Sequence, residues 1–196
     1  MKRRHLLVML TAAAAVATAV MAWAVHSHAA ATPESPAARP SVNPTSQAAA
    51  LVQVGLLLQG SHDSEGAVRT YQQVLRLDPR NKFAWYNLGV IAHEGGRTAE
   101  ARTAYEKSLK IDPTFVSALF NEAILLKPSD PDRAMGLLER VVGIEPQAAS
   151  AHLHLGEIWA RKNRGREAAE EFRLAMTADP SLRSEVPAPF RNGSTT

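Results

Sequence analysis

Between Ala48 and Leu182 apolar residues return every three or four positions, the spacing of one face of an α-helix. The stretch KFAWYNLGVIAHE, from Lys82 to Glu94, shows it well. At about 100° per residue Trp85, Leu88, Gly89 and Ala92 share one stripe, whereas Phe83, Tyr86, Asn87, Val90, His93 and Glu94 share the opposite one. Asn87 thus faces away from Trp85 and Leu88, among which an unpartnered amide would cost a few kcal/mol, about 2–7 on transfer scales.

The pattern carries regular punctuation. Asp78-Pro79, Asp112-Pro113, Glu145-Pro146 and Asp179-Pro180 recur at intervals of 34, 33 and 34 residues. Ala67, Ala101, Ala134 and Ala168 keep step with them, as do Gly55, Gly89, Ala123 and Gly156. Turn residues at SHDS, GGR, KPSDP and NRG divide each interval in two, with Asp130 suited to cap a helix and Pro131 to occupy its first turn. Eight helices in four pairs are predicted, over 48–81, 82–115, 116–148 and 149–182. The glycines mark the closest approach within each pair, with the alanines as small partners across it. Each pair leaves one side apolar, so stacking buries a core that no single pair could.

These residues resemble the tetratricopeptide repeat pattern, W-x2-L-G-x2-Y followed by A-x3-F, A and P. Trp85, Leu88, Gly89, Ala101, Tyr105 and Pro113 occupy its places in the second interval, with Ala92 and Ser108 as small substitutes. Leu51, Gly55, Ala67, Tyr71 and Pro79 do so in the first, Leu119, Ala123, Ala134, Leu138 and Pro146 in the third, and Leu155, Gly156, Ala168, Phe172 and Pro180 in the fourth. The resemblance implies an all-α fold, a right-handed superhelical α-solenoid of four helix-turn-helix repeats, with a concave groove for extended or helical peptides. Along that groove Gln53, Asn87, Asn121 and His154 hold equivalent places, a row of side chains able to donate and accept as a peptide backbone requires. Phe83, Tyr86, Val90, Phe120, Ile124 and Leu153 flank the row and would receive apolar side chains. Val52 and Leu56 stand where carboxylate-gripping co-chaperones of the family need Lys and Asn, which disfavours a chaperone tail as ligand. Glu122 breaks the apolar stripe of the third repeat, with Arg102 and Arg133 as its candidate partners.

Composition adds a location. The formal charge of +3 is matched by Lys2, Arg3 and Arg4 alone, and no basic stretch is interleaved with aromatics, so nucleic acid is not the expected partner. The uncharged run Leu6 to Val25 is as long as the roughly 20 residues a membrane span needs. Residues 1–31 therefore read as a signal anchor, with a cleaved signal peptide as the alternative; in either case the cations stay in the cytoplasm and the repeats lie outside it. TPESPAARPSVNPTSQ, over 32–47, reads as a disordered tether. Residues 183–196 hold Pro187, Pro189 and Gly193 and read as a disordered tail, without the polar helix that seals such stacks. The last pair, around Phe172 and Met176, would then need the VPAPF segment, a partner or a second copy to cover its open C-terminal end.

No catalytic constellation emerges. The chain has no cysteine, which removes thiol nucleophiles, disulfides and cysteine metal sites. His152 and His154 point in different directions from a helix, and His152 takes the place of Trp85, so a packed core histidine is the reading rather than a metal ligand. Glu167, Glu170 and Glu171 form a solvated face. No cofactor is expected. The sequence describes a membrane-tethered adaptor that binds a segment of another protein. The alternatives are a structural subunit assembling through its convex face or C-terminal end, and an accessory that presents substrate to an envelope enzyme or maturation machine.

Overall fold

A computed structural model describes residues 43–191, and the expected anchor over 1–31 lies outside the described residues. Among the described residues eight α-helices run in sequence: α1 (Pro44–Gly60), α2 (Ser64–Leu77), α3 (Lys82–Glu94), α4 (Thr98–Ile111), α5 (Val116–Leu126), α6 (Pro131–Ile144), α7 (Ala149–Arg161) and α8 (Gly165–Ala178). Each odd helix packs on the even helix that follows, and each even helix on the next odd one, which gives four stacked pairs. None of the described helices is long and apolar enough to cross a membrane.

The turns work through short polar side chains. Asp63 Oδ1 accepts from Gly66 N at 2.8 Å, Asn81 Oδ1 from Ala84 N at 3.0 Å and Asp130 Oδ1 from Arg133 N at 3.1 Å, each satisfying an orphan donor at a helix start. Between pairs, Asp112 Oδ1 accepts from Thr114 N and Asp179 Oδ1 from Ser181 N, both at 2.9 Å, closing the turn that the following proline bends.

Close approach within a pair is set by ring against glycine. A Cβ on Gly55 would fall 2.5 Å from the Tyr71 ring, on Gly89 2.6 Å from Tyr105, and on Gly156 2.7 Å from Phe172. The expected alanine partners are buried beside these contacts, but the group that fills the gap is the aromatic four residues further on. In the third pair the exchange is complementary: Ala123 carries the extra methyl, and Leu138 replaces the ring. The core runs between pairs as well as within them; Ala84 and Ile91 of α3 pack with Val52, Tyr71 and Val74, and Ala151, Leu155 and Ile158 of α7 pack with Leu138 and Val141.

Glu122 sits on such an inter-pair face and is 1% exposed. Its carboxylate accepts from Arg133 Nη2 at 2.7 Å, and the same nitrogen reaches Glu106 of α4 at 2.8 Å, so the partner is Arg133 rather than Arg102. Burial raises the Glu122 pKa, and Arg133 opposes the rise.

Both ends differ from the sequence expectation. The tether gives way to helix at Pro44 rather than Ala48, because Asn43 Oδ1 accepts from Thr45 N at 3.1 Å and proline is at home in a first turn. The tail does not lie free over 183–191. Short 3-10 helices at Pro180–Ser184 and Ala188–Phe190 fold it back over α8. Val186 is fully buried with Leu153, Ala168, Phe172 and Ala175, and the Phe190 ring lies 5.1 Å from that of Phe172. Arg191 Nε donates to Val186 O at 2.6 Å. The last pair is therefore covered by the VPAPF segment, one of the three covers that the sequence allows, through the apolar side chains of Val186 and Phe190.

Candidate functional site

The first helices of successive pairs carry the face that the sequence singles out, with α3 touching α5. Tyr86 is its best-held member. Its ring lies 5.2 Å from Phe115 and 6.1 Å from Tyr105, and its hydroxyl accepts a 2.8 Å hydrogen bond from Asn121 Nδ2 in the next pair. Burial raises the phenol's pKa, against hydrogen bonds from Asn121 and Ser117. The phenol stays protonated, and since Asn121 supplies the proton of the shared bond, the Tyr86 O–H is left for Ser117 or for a ligand to accept. No described residue donates to Asn121 Oδ1. Side by side, the pair offers one donor and one acceptor.

Tyr86, Phe120 and Asn121 open onto a cavity of about 370 Å³, walled by Val116, Ser117, Val141, Glu145 and residues 148–151 at the start of α7. That volume lies within the range of about 300–1,000 Å³ typical of ligand pockets. Glu145 can line it because its side chain, longer than the aspartates at the other turns, makes no turn-closing bond among the described residues.

The other expected residues divide. Phe83 is 46% exposed, edge-on to Phe115 at 5.5 Å, with Lys82 Nζ 5.0 Å from both rings and 2.5 Å from Asp112. Asn87 is 8% exposed, and its Nδ2 donates to Phe83 O at 2.8 Å. The structure thus draws Asn87 inward and engages its amide N–H with its own helix. Gln53 is exposed, Ile124 half-buried, and Val90 packs on the Ala92, Ala101, Tyr105 and Leu125 cluster. Leu153 is withdrawn: the strap residue Val186 shares its cluster, and it is 3% exposed. His154 stacks 5.7 Å from Phe120, and its Nδ1 lies 3.0 Å from both Lys127 Nζ and Glu157 Oε2. The His154 and Lys127 contacts hold the Glu157 pKa down at about 2. Phe115 and Glu145 escaped sequence reasoning because they stand at turns, outside the repeating stripe; Ser117 and Lys127 hold the places of Phe83 and His93 on that stripe but carry neither an aromatic ring nor an amide to single them out.

His152 proves to be structural. Its Nε2 lies 3.1 Å from Pro146 O, as Trp85 Nε1 lies 3.1 Å from Pro79 O, so the histidine keeps the tryptophan's bond to the turn. Its Nδ1 lies 2.6 Å from Glu171, and no group of three metal-ligating side chains occurs among the described residues. Hollows of about 560 and 580 Å³ lie elsewhere, and several of their charged residues are in ion pairs, Arg69 with Glu65, Arg97 with Glu100, and Arg133 with Glu106 and Glu122.

A family model described as tetratricopeptide repeat matches residues 55–114 and 124–182, more than half of the chain. The chain belongs to the tetratricopeptide repeat family. Among similar proteins, a probable UDP-N-acetylglucosamine–peptide N-acetylglucosaminyltransferase SPINDLY of Solanum lycopersicum is 33% identical over 39% of this chain and 8% of that one. A peroxisomal targeting signal receptor of Saccharomyces cerevisiae is 31% identical over 36% of this chain and 12% of its own length. This tetratricopeptide repeat chain thus spans about a tenth of those relatives. A crystal structure of MamA has a TM-score of 0.63 at 17% identity, covering 70% of this chain and 81% of the other. MamA 41-end from Desulfovibrio magneticus RS-1 gives 0.60 at 23% identity over 72% and 78%. These likenesses carry the repeat fold.

Proposed function

We propose that this repeat domain is an adaptor that holds an extended segment of another protein against the face formed by its first helices, while the N-terminal segment tethers it to a membrane with the repeats outside the cytoplasm. The observation that carries the reading is the Tyr86–Asn121 pair at the mouth of the 370 Å³ cavity. It presents a donor and an acceptor side by side, the complement of one peptide unit whatever its side chain. Phe120 and Val116 supply an apolar wall for the neighbouring side chain, and Glu145 favours a basic residue beside it. Two further supports are indirect: proteins of this family bind other proteins, and one relative is by name a receptor for a targeting signal. The tether rests on Lys2, Arg3 and Arg4 ahead of the uncharged run Leu6 to Val25.

A photo-crosslinking residue at position 120, in the full chain in intact membranes, tests the reading against the same residue at position 173, exposed on α8. A partner adduct formed at 120 and absent at 173 is expected; the reverse would assign binding to the opposite surface. A reporter fused after Thr196 should be active only outside the cytoplasm, and cytoplasmic activity would overturn the topology.

A further inference from the structure

The repeat register gives α1 a face without a neighbour. Ala84, Leu88 and Ile91 of α3 pack against the preceding pair. Ala118, Glu122 and Leu125 are the same places in α5, and Ala151, Leu155 and Ile158 in α7, all at most 7% exposed. One repeat earlier these places are Ala50, Val54 and Leu57, with no described pair ahead of them. Val54 is 44% exposed and Leu57 74%, the latter the highest among the described large hydrophobic residues. From Val42 to Ser61 the chain carries no charged side chain at all. A face that is wholly buried in two repeats and largely buried in a third, and is apolar and uncharged in the first, is built to be covered by another helix.

We infer that it is covered by a second copy of this chain, α1 against α1, in a two-fold dimer. A head-to-tail stack would need the α8 end of the next copy, and Val186 and Phe190 already occupy that end. What remains is a surface that pairs with itself, as a two-fold interface requires. An uncharged helix meets its own copy with no like-charge repulsion at the axis. The inference rests on the proposed tether in one respect: with Leu6 to Val25 in the membrane, that apolar run is not available as the covering helix.

Because the chain has no native cysteine, a single Leu57→Cys substitution reports this contact without ambiguity. Full-length protein in native membranes is oxidised mildly and run without reductant, with Arg166→Cys on exposed α8 as the control. A covalent dimer through Cys at 57, at least about tenfold above the control, and its loss when Val54→Glu is added, is the expected result. A monomer whose thiol reacts freely with maleimide would show a bare face and overturn the inference. A monomer whose thiol is protected would show α1 covered by another segment or partner, and would also overturn it while leaving the groove reading intact. Circular dichroism of the Val54→Glu variant, expected to match the parent, separates lost pairing from lost folding.

Discussion

Asn121 of one repeat donates a 2.8 Å hydrogen bond to the Tyr86 hydroxyl of the repeat before it. One contact thereby fixes two first helices relative to each other and orients both polar groups at the cavity mouth. Tyr86→Phe removes the acceptor and should cost about 0.5–1.5 kcal/mol, the usual worth of a partly buried bond. Asn121→Ala should cost a similar amount, and the double variant clearly less than the sum, because both remove the same bond. Urea denaturation of the three variants checks this; strict additivity would mean that the two side chains do not interact.

The ring-against-glycine contact predicts an asymmetry among the glycines. Gly89→Ala drives a methyl to 2.6 Å from the Tyr105 ring and should destabilise by about 1–3 kcal/mol through overpacking. Gly136, inside α6, has nothing within 4 Å of an added Cβ, so Gly136→Ala should gain about 0.5–1 kcal/mol from helix propensity alone. Thermal midpoints moving in opposite directions would bear this out.

Glu122 offers a pH signature. Burial raises its folded pKa above the unfolded value, so protonation favours the fold, and this contribution is present at low pH and lost as pH rises through the folded pKa. Arg133→Ala removes the nearest opposing charge and should destabilise at neutral pH, toward the lower end of about 3–5 kcal/mol because Arg133 is itself partly exposed. That deficit against the parent should shrink as pH falls and Glu122 takes a proton. Denaturation at pH 4 and 7 reads the difference, and a deficit independent of pH would deny Glu122 its role.

Glu157 runs the opposite way. Its pKa is lowered to about 2, first by the His154 contact, so its contribution is present above the usual carboxylate range and lost as pH falls toward 2. Glu157→Gln should therefore lower stability at pH 7 and leave it nearly unchanged near pH 2, measured as the urea midpoint relative to the parent.

The fold was legible where the residue itself carries the geometry. Asp-Pro pairs announced the turns, and Gly55, Gly89 and Gly156 announced the close approaches. The rings that fill those approaches were less legible, because a glycine signals room without naming the side chain that takes it. The strap was only half legible: VPAPF stood among three possible covers for the last pair, but its proline-rich composition also reads as an unstructured tail, and only the placement of Val186 and Phe190 against Phe172 decides between them. On the candidate site, Tyr86, Phe120 and Asn121 share one cavity as their common stripe suggested. Leu153 occupies the same register as Tyr86 but is drawn inward by the strap, a contact from outside the repeat that periodicity could not show.

The most direct measurement replaces both Asn87 and Asn121 by alanine in the full chain carrying the photo-crosslinking residue at position 120, in intact membranes. If the amides read a peptide backbone, the partner adduct should fall about tenfold, the effect of roughly 1.4 kcal/mol, with the helical signal unchanged. Undiminished adduct from a fully folded double variant would contradict the account and move partner recognition to another surface.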